Sequence, residues 1–110
     1  PEIANIGLTE KVLQNQEIPY ETGVCYFKDL ARGYIIGEKV GLLKLIFQRE
    51  TRELLAVHIL GQNAAELVHI GQVVINMKGK IDYFVDTVFN FPTLSSAYKV
   101  AAKDGLRKLL

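Results

Sequence analysis

The spacing of hydrophobic positions changes along the chain, and this pattern predicts its main elements. Two apolar runs of strand length, 42–48 and 54–62, flank the charged segment 49–53 and predict a β-hairpin. In the first run, alternate apolar residues beginning at Leu43 share one face. The stretch 20–27, which is rich in aromatic and β-branched residues, predicts a further strand.

After the hairpin, the pattern takes on a helical period. Asn63 followed by Glu66 resembles a capping box and Gly79 resembles a C-terminal stop, so we predict a helix over about 64–78. Its polar residues form one narrow stripe, and apolar side chains occupy most of the remaining girth. Such a helix is covered on two sides, and in a small domain one cover is expected to be a partner chain.

Two further helices complete the predicted order. A short helix over 10–16 begins after Thr9, and a last helix begins near Thr93 and runs towards the end of the chain. The order of elements predicts an α+β fold, in which helices pack on one face of an antiparallel, meander-like sheet. No repeat or linker divides the sequence, so we treat 1–110 as one domain.

Composition then excludes several classes of protein. An apolar content of 49% rules out a disordered tail, and 13 basic against 12 acidic residues argues against a dedicated nucleic-acid binder. One cysteine excludes a disulfide scaffold and fits a reducing cytoplasm. Apolar runs fall well short of the ~20 residues that a spanning helix needs, so no membrane partner is predicted.

The residues that usually carry chemistry have simpler interpretations here. Cys25 lacks a second thiol and is interpreted as a buried structural cysteine, and His58 as a packed or interface histidine. No metal-ligand spacing accompanies them, so no metal is predicted. The glycines at 33, 37 and 41 lead into a strand rather than a helix, which favours loop glycines with positive φ over a phosphate loop.

Two segments carry a resemblance to a known family. GQNAAELVHIGQ (61–72) and TVFNFPTLSSAYKVAA (87–102) resemble the C-terminal dimerisation domain of FAD-dependent pyridine nucleotide-disulfide oxidoreductases. The opening residues 1–10 also look like the start of that domain, so the resemblance covers essentially the whole chain. Within this superfamily the chain is most similar to the soluble, Si-specific NAD(P)+ transhydrogenases, which share its FN-aromatic-PT ending.

The chain departs from this superfamily at the catalytic motif His-Pro-Thr-x-x-Glu. Phe91 stands where the disulfide reductases have the histidine, and Ser96 stands where they have the glutamate. Neither side chain can serve acid–base chemistry with a cysteine pair. The resemblance therefore implies no catalytic residue in this domain, and hydride transfer between NADPH and NAD+ through FAD in a longer enzyme.

The resemblance also implies partners and site residues. It implies a homodimer, upstream FAD- and NAD-binding domains, and a domain that is inactive in isolation. Phe91 and Pro92 are expected beside the partner subunit's flavin, with NAD(P)(H) as substrates. The expected dimer-interface residues are His69, Val73, Asn90, Phe91, Thr93 and Tyr98.

Two other interpretations stay open. The first is the same domain from a disulfide-reductase-like NAD(P)H:acceptor flavoprotein, of the dihydrolipoamide dehydrogenase or mercuric reductase type. An upstream CxxxxC motif would indicate that enzyme. The second is a stand-alone α+β interaction module, which the absence of catalytic residues suggests.

Overall fold

The structure is a computed structural model that describes residues 2–37 and 40–110. Within these residues the strands are β1 (Glu2–Gly7), β2 (Tyr20–Tyr26), β3 (Leu42–Gln48) and β4 (Leu54–Gly61). The helices are α1 (Glu10–Asn15), α2 (Ala31–Ile35), α3 (Ala64–Asn76), α4 (Asp82–Asp86) and α5 (Ala97–Arg107). Short 3₁₀ turns occupy 27–29 and 94–96.

The strands form one antiparallel sheet in the order β1-β4-β3-β2, which confirms the predicted α+β fold class. The predicted hairpin is β3 and β4, in which Leu43 lies opposite Ile59. Strand β1 was not predicted. It pairs with β4 along one edge of the sheet, where Ile3 lies opposite Leu60.

The main core lies between the sheet and its two long helices. Leu43, Leu45 and Phe47 alternate onto one face of β3 and are fully buried there, as predicted. Helix α3 covers β1 and β4, while α5 covers β2 and β3. This arrangement leaves the far side of α3 directed away from the sheet.

A smaller core lies on the opposite face of the sheet, under α1. Leu13 is fully buried there against Ile46 and Ala56. Thr9 caps the helix as predicted, because its hydroxyl accepts a hydrogen bond from the Val12 N–H at 3.2 Å. The sheet is therefore covered by long helices on one face and partly by α1 on the other.

The predicted signals at the two ends of α3 were wrong in detail. Asn63 has a φ of 64° and its side chain makes no capping hydrogen bond. The Glu2 carboxylate on β1 instead accepts from the Ala65 N–H at 3.1 Å. At the other end, Lys78 takes the left-handed conformation with a φ of 55°, and the Gly79 N–H donates to the Val74 carbonyl at 2.8 Å.

The loop-glycine prediction holds only at Gly37, where φ is 72°. Gly33 lies inside α2, and a Cβ there would be 1.8 Å from the Phe27 carbonyl oxygen. Gly41 also lacks a positive φ, and its Cβ would be 2.9 Å from the Phe27 ring. Close approach to Phe27 therefore explains these two glycines better than backbone conformation does.

Candidate functional site

The exposed side of α3 is apolar and forms a groove with the start of α4. Val73 on α3 is 61% exposed, and Met77, which directly follows the helix, is 76% exposed, although the inner side of α3 belongs to the core. The groove has a volume of about 400 Å³. It is lined by Ile70, Val73, Val74, Met77, Gly79 and Tyr83.

Helical geometry explains why these side chains face outwards. Leu67, Gly71 and Val74 are buried on the inner side of α3, so residues about half a turn away point to solvent. Full burial of a valine or methionine side chain is worth about 1.5–3 kcal/mol. The exposed apolar face is therefore a surface that gains free energy when a partner covers it.

Polar side chains border this apolar face along the stripe that the sequence predicted. His69 Nδ1 lies 2.8 Å from Gln72 Oε1, one turn along the helix. Glu66 and Asn76 are exposed on the same stripe. Of the expected interface residues, His69 and Val73 lie together on this side of α3.

A second group of expected residues lies on the loop between α4 and α5. The Phe91 ring is 81% exposed and Val88 is 91% exposed, while Asn90 and Pro92 are also exposed. The peptide bond between Phe91 and Pro92 is cis. The loop therefore presents a largely apolar tip to the outside of the protomer.

Hydrogen bonds within the chain engage two hydroxyl groups of this loop, those of Thr93 and Ser96. Thr93 accepts from the Ser95 N–H at 2.9 Å and so caps the turn that leads into α5. The Ser96 hydroxyl donates to the Thr93 carbonyl at 2.7 Å. Ser96 thus closes the turn, and Phe91 has no titratable atom, so these two positions offer no proton to a substrate.

A second groove, of about 600 Å³, separates this loop from the beginning of α3. Its walls are Arg32, Asn63, Glu66, Leu67, Ile70 and the loop residues Pro92, Thr93, Leu94 and Ser95. Arg32 is exposed on α2 and was not singled out from the sequence. No local signal could have found it, because only the tertiary fold brings α2 beside the loop.

Tyr98 differs from the other expected interface residues because its side chain is fully buried inside the protomer. Its hydroxyl donates to the Leu67 carbonyl and accepts from the Gly71 N–H at 3.0 Å. Any contribution of Tyr98 to a dimer must therefore be indirect.

The other candidate groups show no constellation for chemistry. Cys25 is buried as predicted, and burial raises the pKa of its thiol to about 12. His58 lies half-buried on β4, where burial first and Lys44 second lower the pKa of its imidazole. No group of three metal-ligating side chains occurs within 2–37 and 40–110. In the same part of the chain, no helix has the length and hydrophobicity to cross a membrane.

Comparison with known proteins places these features in a family. The family described as pyridine nucleotide-disulphide oxidoreductase, dimerisation domain, matches residues 1–102. Proteins called soluble pyridine nucleotide transhydrogenase from Marinobacter nauticus and Escherichia coli O157:H7 are each 50% identical over 112 residues. That alignment covers 99% of this chain but only 24% of either relative's length. A protein of the same name from Pectobacterium carotovorum is 49% identical, with 75% of its length covered.

Solved structures share the fold at lower sequence identity. LpdA from Mycobacterium tuberculosis matches with a TM-score of 0.87 and 23% identity, over 100% of this chain and 23% of its own. The HOCl-induced flavoprotein disulfide reductase RclA from Escherichia coli matches with a TM-score of 0.86 and 18% identity. That match covers 92% of this chain and 23% of the RclA chain. At these identities the likeness establishes the fold alone.

Proposed function

The chain belongs to the pyridine nucleotide-disulphide oxidoreductase dimerisation domain family, and from that premise we propose that two copies associate through the apolar side of α3. The observation that carries this proposal is the exposure of Val73 on an otherwise core-forming helix and of Met77 directly after its C-terminal end. A twofold axis near these residues would use the same face on both copies, as isologous interfaces do. His69 would then lie in the polar border of the interface.

Cysteine cross-linking tests this placement directly, because the native Cys25 is buried and does not compete. Met77→Cys puts a thiol on the proposed face, and mild oxidation is expected to give a covalent dimer at low protein concentration. Ile3→Cys is the matched control, since Ile3 is similarly exposed at 71% but lies on β1. Equal cross-linking of both variants would contradict the proposed interface.

We propose that the loop tip formed by Asn90, Phe91, Pro92 and Thr93 faces the partner subunit's flavin. The residues fit a flat, largely apolar ring system: the phenyl and pyrrolidine rings are exposed beside the 600 Å³ groove. The Phe91 carbonyl also accepts no hydrogen bond from the described residues, so it is available to a ring N–H. When bound, the flavin would supply hydride acceptance and return.

For the longer polypeptide we propose hydride transfer between NADPH and NAD+ through FAD. Upstream domains would hold FAD and the nicotinamide nucleotides, since this chain spans only 24% of the length of the Marinobacter and Escherichia relatives. Support comes from Phe91 and Ser96, which offer no proton-transferring group where thiol chemistry would need one. Phe91 would exclude water and support the ring, and Ser96 would hold the loop turn. A cytoplasmic location fits the single buried cysteine.

The activity is tested on the longer, flavin-loaded polypeptide. We expect NADPH-dependent reduction of an NAD+ analogue that survives treatment with iodoacetamide. Strong inactivation by the alkylating agent would contradict the proposal and favour a disulfide-reductase-like enzyme. The alkylation is carried out in the presence of NADPH, which would reduce a disulfide to thiols. The test is informative because hydride passage through a flavin requires no thiol, whereas a cysteine pair reduced by NADPH is blocked by alkylation.

A further inference from the structure

Tyr98 touches three helices from one buried position. It belongs to α5, and its ring packs against Phe84 of α4 with the centroids 4.8 Å apart and the planes tilted by 30°. Its hydroxyl reaches α3, where it contacts the backbone at Leu67 and Gly71. One side chain therefore connects the helix of the proposed dimer face with the helix that follows the Phe91 loop.

The backbone groups that Tyr98 contacts are unusual partners for a side chain. The hydroxyl donates to the Leu67 carbonyl and accepts from the Gly71 N–H at 3.0 Å. These two groups are four residues apart, so an α-helix pairs them with each other without help. The absence of a side chain at Gly71 allows the contact, because a Cβ there would be 2.4 Å from Val57 Cγ2 and 3.2 Å from the tyrosine oxygen.

Core packing alone does not account for this hydroxyl. A phenylalanine at 98 would fill the same space against Phe84, and the Leu67 carbonyl and Gly71 N–H would still have each other as partners. Burying a hydroxyl costs free energy unless it is hydrogen-bonded, so its presence calls for a specific contact. Burial raises the pKa of Tyr98 to about 12, so the hydroxyl keeps its proton and stays a donor to Leu67.

The turn from Leu67 to Gly71 lies directly behind both surfaces described above. Ile70, on the outer side of this turn, lines the apolar groove of α3 and also the groove beside the loop. Leu67 lines the second groove together with Pro92 and Thr93. A small shift of this turn would move the two surfaces relative to each other.

We infer that Tyr98 is a positioning residue for self-association. Its hydroxyl holds the Leu67–Gly71 turn of α3 to α5, and this contact sets the position of the dimer face relative to the Phe91 loop. The inference rests on the proposed use of the α3 face for dimerisation. It assigns the hydroxyl a role in binding a second copy of the chain, in addition to the role of the ring in the core.

The test compares two tyrosine-to-phenylalanine variants of the 110-residue chain by sedimentation equilibrium. Tyr98→Phe is expected to raise the dimer dissociation constant at least about tenfold, because the turn keeps its helical hydrogen bond but is no longer held to α5 by the hydroxyl. Tyr20→Phe is the matched control. Tyr20 also donates to one group and accepts from another, Glu10 and Gln14, but on the opposite face of the sheet. We expect it to change the dissociation constant by less than about twofold while lowering the melting temperature.

A merely structural tyrosine would give a different result. If Tyr98→Phe lowers the melting temperature but leaves the dissociation constant within about twofold of the wild type, the inference is overturned. Equal weakening by both variants would also overturn it. Val73→Glu in the same series reports on the interface itself. If Val73→Glu has no effect, the proposed interface fails, whereas an effect of Val73→Glu without one of Tyr98→Phe removes only the role of Tyr98.

If Tyr98→Phe does not fold, amide hydrogen exchange on the wild-type chain tests the inference instead. We expect exchange at the Gly71 amide to slow as the chain is concentrated and the dimer forms, because the partner stabilises the turn that Tyr98 holds. The Leu13 amide, in the core under α1, provides the reference within the same molecule. A Gly71 exchange rate that stays constant relative to Leu13 across the dimerisation range would overturn the inference.

Discussion

Replacement of Val73 by glutamate tests the energetic basis of the proposed interface. Full burial of a valine side chain is worth about 1.5–3 kcal/mol. Because Val73 is 61% exposed in the protomer, about 1–2 kcal/mol of this remains for a partner to supply. An isologous interface uses the position twice, which gives about 2–4 kcal/mol per dimer. Since each 1.4 kcal/mol corresponds to a tenfold change, loss of this term alone weakens the dimer roughly 30- to 700-fold.

A carboxylate in a contact without water adds a desolvation penalty, so we expect at least about a 100-fold rise in the dissociation constant. Sedimentation equilibrium over a range of protein concentrations measures it. Ile3→Glu introduces the same charge at a similarly exposed residue, 71%, away from α3. It should leave both the dissociation constant and the fold unchanged. A Val73→Glu dimer within about threefold of the wild-type constant would refute the reasoning.

Three further predictions concern stability and reactivity. Leu13→Ala removes the fully buried contact between α1 and the sheet and should lower the free energy of unfolding by about 2–5 kcal/mol in urea titration, well above the effect of Val12→Ala. Burial and Lys44 lower the pKa of His58 below 6.5, so the neutral form is favoured in the folded state and stability should fall as pH drops from 6.5 through the folded-state pKa. His58→Gln should flatten this slope in melting temperatures, and an unchanged slope would contradict the assignment. The Cys25 thiol, with its pKa raised to about 12, should resist iodoacetamide in the native chain and react fully in urea, as judged by mass spectrometry.

The spacing of apolar residues was sufficient to predict an element where buried positions repeat along one face over many residues. The alternation of apolar residues in β3 predicted a buried strand face. The apolar side chains around most of the girth of α3 predicted an apolar face beyond the core, and both faces are present. β1 was missed because its partner, β4, is some fifty residues away in sequence. Its strand conformation depends on that pairing more than on local preference.

The ends of α3 show why local signals fail. Asn63 has the residue type of a helix cap, but its left-handed backbone directs the side chain elsewhere, and Glu2 from β1 provides the capping carboxylate. The candidate site, too, could be predicted only in part. The motif positions Phe91 and Ser96 could be assigned from sequence, whereas the approach of Arg32 to the loop and the burial of Tyr98 arise from tertiary contacts.

Sedimentation equilibrium of the unmodified 110-residue chain is the most direct test of the central claim, that this chain associates with itself through α3. We predict a concentration-dependent shift to a dimer, with a dissociation constant of about 1 μM or tighter, and no larger species needed to fit the data. A chain that remains folded and monomeric at several hundred times that concentration, roughly 300 μM, would contradict the account.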